Sequence, residues 1–137
     1  MASILKVDEL QGIASAGSIT VTSEGGSATQ SLQQGLAKAW NCFDGTGTIS
    51  LRDSLNTASL TDNGTANYDT NFTNSFANND YAFVATNCNQ AGANNQIVAG
   101  TSATSKTTGE FGIRTQNYAG TFSDVNDNMT AVHGDLA

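Results

Sequence analysis

From about Ala37 onward the sequence is a succession of short strand-like runs broken by turn signals: KAWNCF, TISLRDSL, ASLTDNGTANYDTNF, DYAFVATNC, NQIVAGTSAT, EFGIRTQNY and NMTAVHGDL. Short runs of this kind, recurring at regular spacing, favour two packed antiparallel sheets over any helical arrangement. The expected fold class is therefore all-β, an antiparallel, jelly-roll-like β-sandwich over residues 37–137. Its clearest local element is Thr61-Asp62-Asn63-Gly64, where Asn-Gly suits the two positive-φ positions of a type I′ turn and predicts a hairpin. Tyr68 and Phe72, like Tyr81 and Phe83, repeat at strand period and so share a face. With Trp40, Phe43, Ile49, Leu51, Phe111 and Ile113 they form the expected core.

Composition reinforces the pattern. Apolar residues make up 38% of the chain and charged residues 12%, both low, with Asn, Thr, Ser and Gly filling the difference. Ser, Thr and Asn compete for backbone hydrogen bonds and Gly costs roughly 1 kcal/mol inside a helix, so long helices are disfavoured. The chain has no proline, so its turns depend on Gly, Asn and Asp, as in Asp44-Gly45, Asn63-Gly64 and Asn79-Asp80.

Residues 1–36 read as a separate segment. Ile4, Leu5, Val7 and Leu10 in SILKVDEL, then Ile19 and Val21 in GSITVT, suggest two short strands joined by small residues from Gly12 to Gly17. An isolated strand pair is marginal in water, so the segment is expected to serve assembly by pairing with another chain or a docking surface. Leu32, Leu36 and Trp40, four apart, fit one face of a short helix that Gly35 weakens.

Chemistry-bearing constellations are sparse. A hydrolase would need a nucleophile beside a base, and the one histidine, His133, reads better as a surface residue than as a base paired with Asp135. Asp44, Asp53, Asp62, Asp69 and Asp80 recur near turns, where Asp ordinarily caps backbone N–H groups. Asp124, Asn126, Asn128 and Asp135 fall at positions 1, 3, 5 and 12 of an EF-hand spacing. Met129 stands where that loop needs Gly, so no metal site is expected, and no cofactor or catalytic residue either. Net charge is −7 with five scattered basic residues, which argues against nucleic-acid binding. No stretch approaches the roughly 20 apolar residues of a membrane span, and no secretion signal is expected. Cys42 and Cys88 lie in strand-like segments and are expected to be free thiols.

The opening Met1-Ala-Ser-Ile-Leu-Lys-Val-Asp-Glu-Leu10-Gln resembles the start of many tail-fibre and appendage proteins of tailed bacteriophages, marine ones especially, where a similar SxLKVDx[IL]Q segment begins the chain. A second stretch, about residues 37–85, resembles a domain of such proteins through Lys38-Ala-Trp40, Phe43-Asp-Gly-Thr-Gly47, Ile49-Ser-Leu-Arg-Asp-Ser-Leu55, Leu60-Thr-Asp-Asn-Gly-Thr65, Tyr68 and Asn71-Phe-Thr73. The resemblance implies a virion structural protein, assembled in the host cytoplasm, with no catalytic residues to carry over. Expected partners are further copies of itself in a homotrimer, other phage virion proteins, and host cell-surface polysaccharide. A capsid decoration or head-fibre role is the alternative.

Overall fold

The computed structural model describes residues 4–12, 19–22, 25–88, 106–117 and 119–137, and the backbone of 97–100. The chain divides into two compact units, Met1–Leu36 and Ala37–Ala137.

In the first unit, strand β1 (Thr20–Thr22) pairs antiparallel with β2 (Thr29–Ser31), Val21 opposite Gln30. A single helical turn, α1 (Leu32–Gly35), follows, capped by the Ser31 hydroxyl, which accepts from the Gln34 amide at 3.4 Å. Two expectations are corrected here. Residues 4–12 hold no regular strand, because an extended segment forms one only where a partner supplies a hydrogen-bonding ladder. The helix stops at Gly35 instead of reaching Trp40: Leu36 is already extended (φ −96°, ψ 142°), and Trp40 lies in a strand. The small-residue connection falls mostly outside the described residues.

The second unit is an all-β sandwich. Strands β3 (Ala39–Asp44), β4 (Ser50–Leu55), β7 (Ala82–Asn87) and β10 (Asn128–His133) form one sheet in the order β4-β3-β10-β7. Strands β5 (Thr57–Asp62), β6 (Asn67–Phe72), β8 (Ile97–Gly100) and β9 (Glu110–Gln116) form the other, in the order β5-β6-β9-β8. All neighbours are antiparallel. The chain changes sheets within one residue at Asn56, which takes a left-handed conformation (φ 55°) that Asn tolerates better than most residues. Its side chain is tied on both atoms, accepting from the Asn74 amide at 2.6 Å and donating to the Asn74 carbonyl at 3.0 Å.

The hairpin at Asn63-Gly64 forms, but with a four-residue loop, Asn63 to Ala66, in place of the type I′ turn. Gly64 (φ 104°) and Ala66 (φ 60°) take the positive angles and Asn63 does not. The reason lies across the molecule. The Ala66 amide donates to the Asp124 carboxylate at 2.7 Å, and the Ala66 carbonyl accepts from Thr115 at 3.1 Å. These two bonds hold a buried alanine in a conformation its Cβ disfavours.

Between the sheets lie Phe43, Tyr68, Phe72, Phe76, Tyr81, Phe111, Ile113 and Val132, with Ile49 and Phe83 packed partly buried against them. Phe72 touches Phe76, Tyr81 and Phe111 at ring separations of 4.8, 5.7 and 5.6 Å, and Phe83 meets Phe111 at 4.8 Å. Two expected core members belong elsewhere. Alternation along β3 turns Ala39, Asn41 and Phe43 inward, leaving Trp40 half-buried on the outer face, and Leu51 on edge strand β4 is exposed.

Burial decides the tyrosine chemistry. Desolvation, then the hydrogen bond from its hydroxyl to Asp124 (2.7 Å), pushes the Tyr68 phenol far above its ordinary value. Desolvation, then the charge of Glu110, does the same at Tyr81. Both groups hold their protons more tightly folded than unfolded. Their contribution to stability is therefore complete below the ordinary phenol range of about pH 10 and is lost as pH rises through the folded values. Spectrophotometric titration of the native chain should leave both phenols un-ionised at about pH 11, with ionisation appearing only on alkaline unfolding. Reversible titration of all tyrosines near pH 10 would contradict this packing.

Candidate functional site

Among the residues expected to serve assembly, Ile4 and Leu5 are each 78% exposed, and Val7, Leu10 and Val21 are also exposed. Ile19 is half-buried, its carbonyl accepting from the Leu32 amide at 2.8 Å. Val21 thus lies in the β1–β2 ribbon and Ile19 directly precedes it, while Ile4, Leu5, Val7 and Leu10 lie further upstream, outside any strand or helix. Two shallow depressions flank the ribbon, one of about 320 Å³ lined by Val21, Ala28, Thr29 and Gln30, the other of about 190 Å³ sharing Val21 and Gln30 and reaching Leu32 and Leu36. None of these lining residues ionises, which suits apolar contact better than proton transfer.

On the sandwich, strand register builds a second feature. The outer face of the β4-β3-β10-β7 sheet carries a row running Leu55, Trp40, Ala131, Val84 across all its strands. A parallel row runs Asp53, Cys42, Met129, Thr86. Leu55 and Val84, at the two edges, are exposed, and the residues between them are half-buried. Sequence reasoning missed the first row, because its members lie at positions 40, 55, 84 and 131 and meet only through strand order. The one available signal was in AFVATN, which is apolar on both faces over Ala82-Phe83-Val84, a pattern usual for strands covered on both sides.

At one end of this sheet a bulge between Cys42 and Phe43 brings Arg52 onto the same face as Cys42 and Asp44. Arg52 donates to Asp127 at 2.8 Å, to Asp44 at 3.3 Å and to the Asn126 carbonyl. The Thr46 hydroxyl and amide hold the Asp44 carboxyl below its usual range, with Arg52 adding to them. Burial, then the Asp127 carboxylate 3.6 Å away, pushes the Cys42 thiol up, the opposite of what a nucleophile requires. Cys42 and Cys88 are both free.

The remaining chemical candidates are dispersed. His133 ends β10 on the surface opposite Ala82. Asp44 and Asp62 do cap turns, accepting from the Thr46 and Gly64 amides at 2.8 and 2.9 Å. The EF-hand spacing does not become a loop: residues 128–133 are extended at about 3.3 Å per residue, carrying Asp135 away from Asp124. No cluster of three potential metal-binding side chains occurs among the described residues. No protein family, curated protein or solved structure matches this chain. Among the described residues no helix is long and apolar enough to cross a membrane. The features that remain are surfaces: an exposed apolar segment before the β1–β2 ribbon, and an apolar row that ends at β7, the last strand of its sheet among the described residues.

Proposed function

We propose that this chain is a non-enzymatic structural protein of a tailed-bacteriophage virion, a tail fibre or tail-associated surface appendage. Residues 1–36 hold copies together as a homotrimer or dock them on other virion proteins, and the sandwich of residues 37–137 is presented outward. The observation that carries this reading is the exposure of Ile4, Leu5, Val7 and Leu10 outside any strand or helix. Apolar side chains spaced along an extended segment gain roughly 25 cal/mol per Å² when a partner covers them. The resemblance of the opening eleven residues to appendage proteins supplies the biological setting. The low-charge surface, rich in hydroxyl and amide groups, suits weak multivalent contact with host polysaccharide, where several copies on one appendage raise avidity without a tight single site.

Immunogold electron microscopy of intact particles with an antibody to this chain tests the placement. Label on the tail or its fibres is the expected result. Label over the head would replace it with the capsid-decoration role, and absence of the chain from purified particles would overturn the virion reading altogether.

A further inference from the structure

Two polar atoms on the outer face of the β5-β6-β9-β8 sheet are buried with nothing to bond. Along β6 and β9 the core takes Tyr68, Thr70, Phe111, Ile113 and Thr115. Alternation therefore turns Asn67 and Arg114 outward, and register sets them directly opposite each other. The Asn67 Oδ1 and the Arg114 Nε meet no hydrogen-bond partner, and Asn67 is only 7% exposed. A buried polar atom left in this state carries the cost of leaving water with no bond in return. Residues 89–105 contain no Asp or Glu, so that stretch supplies no carboxylate to Arg114. Asp69, two residues along β6 on the same face, accepts from the Asn63 side chain.

An aromatic ring completes the arrangement. Phe122 packs against the Arg114 guanidinium, its ring centroid 5.0 Å from Cζ, and remains 47% exposed. The loop before it is held in place, because the Asn117 side chain accepts from the Ala119 and Thr121 amides at 3.0 and 2.9 Å. Phe122 then bridges back to Gln116, and the Ser123 carbonyl accepts from the Thr115 hydroxyl at 2.7 Å.

We propose that Arg114, Asn67 and Phe122 form a binding site for a uronic-acid residue of an acidic polysaccharide. Each group selects a different part of such a sugar. The guanidinium offers Nε and one Nη as parallel donors to the two oxygens of a carboxylate. The Asn67 carbonyl requires a donor, which an ionised carboxylate lacks and a sugar hydroxyl provides. The exposed Phe122 ring covers the apolar C–H face of the pyranose, as aromatic walls do where a few polar groups fix orientation. The net charge of −7 does not forbid an anionic ligand. At physiological salt, exposed charges more than roughly 8 Å away are largely screened, and the guanidinium is the local charge. The site gives the polysaccharide contact proposed above a place and a chemical class, and rests on that reading for the source of the sugar.

The test titrates the full chain with galacturonate and mannuronate oligomers, following the Arg114 Nε–H resonance. Two controls separate the contributions: the methyl ester of the galacturonate oligomer keeps the ring and loses the charge, and polyglutamate keeps the charge and loses the ring. The expected result is saturable binding of a uronate oligomer that shifts this resonance, with both controls at least about tenfold weaker. Arg114→Gln should weaken binding at least about tenfold and Phe122→Ala should also weaken it, with the thermal transition of Arg114→Gln unchanged because its Nε makes no hydrogen bond in the fold. Failure of both uronates to bind, an ester or polyglutamate that binds as tightly, or indifference to Arg114→Gln would overturn the proposal. If neither uronate binds but neutral dextran is retained, this site is excluded and the polysaccharide contact stands. Uronate binding by a chain absent from purified particles would keep the site and exclude the virion reading.

Discussion

Replacing Phe111 with alanine should cost the sandwich about 3–5 kcal/mol, a large share of the roughly 5–15 kcal/mol that holds a domain folded. Phe111 is buried on β9 in one sheet, and its ring meets Phe83 on β7 of the facing sheet at 4.8 Å. On its other side it meets Phe72 at 5.6 Å, which passes the contact to Phe76 and Tyr81. Truncation therefore removes the ring that joins an aromatic cluster across the sheets. Rigid strands on both sides prevent the cavity from collapsing, so transfer and cavity costs add. Urea denaturation of the full chain should show a lower midpoint with an unchanged slope. A loss below about 1.5 kcal/mol would mean that Phe111 is not a central inter-sheet contact.

Asn41→Ala should cost about 2–4 kcal/mol, for a different reason. Asn41 is buried at 2% exposure between the sheets, donating to the Thr70 hydroxyl at 3.0 Å and accepting from the Thr130 hydroxyl at 2.9 Å. Thr130 lies on neighbouring β10, whereas Thr70 lies on β6 of the facing sheet. Alanine would leave two buried hydroxyls without this partner, and an orphaned buried polar group costs more than its hydrogen bond contributed. The triple variant Asn41→Leu, Thr70→Val, Thr130→Val should recover much of the loss, since it removes every polar group of the set together. If the triple variant is no more stable than Asn41→Ala, shape and not hydrogen bonding governs this site.

The contrast between these two residues shows what a sequence of this kind reveals. Phe111 could be assigned to the core from strand alternation, as could Phe43, Tyr68, Phe72, Tyr81 and Ile113, because a period of two is a local property. Asn41 could not, because the groups that make its burial tolerable lie 29 and 89 residues away. A large aromatic in a strand suggests the core, as at Trp40, yet the inward positions of β3 are Ala39, Asn41 and Phe43. Phe76, Val125 and Val132 are buried without having been expected. Phe76 and Val125 lie outside the regular strands, where no period exists to read.

The same distinction governs the candidate surfaces. The apolar residues Ile4, Leu5, Val7 and Leu10 were legible as a segment lacking a partner, but the strand drawn through them requires a ladder the described chain does not supply. The turn at Asn63-Gly64 was legible as a hairpin, while its loop length was set by Asp124, 58 residues from Ala66. The outer row Leu55, Trp40, Ala131, Val84 follows from sheet order alone, which no local pattern encodes.

The proposed role of residues 1–36 in holding copies of this chain together rests on exposed apolar side chains, and the deciding measurement is the sedimentation mass of the full chain beside the Leu5→Asp, Val7→Asp double variant, whose changes fall on exposed residues outside the sandwich. The expected result is an oligomer whose mass falls about threefold in the double variant, with the thermal transition of the sandwich unchanged. A monomeric wild-type chain, or an oligomer indifferent to both substitutions, would contradict it.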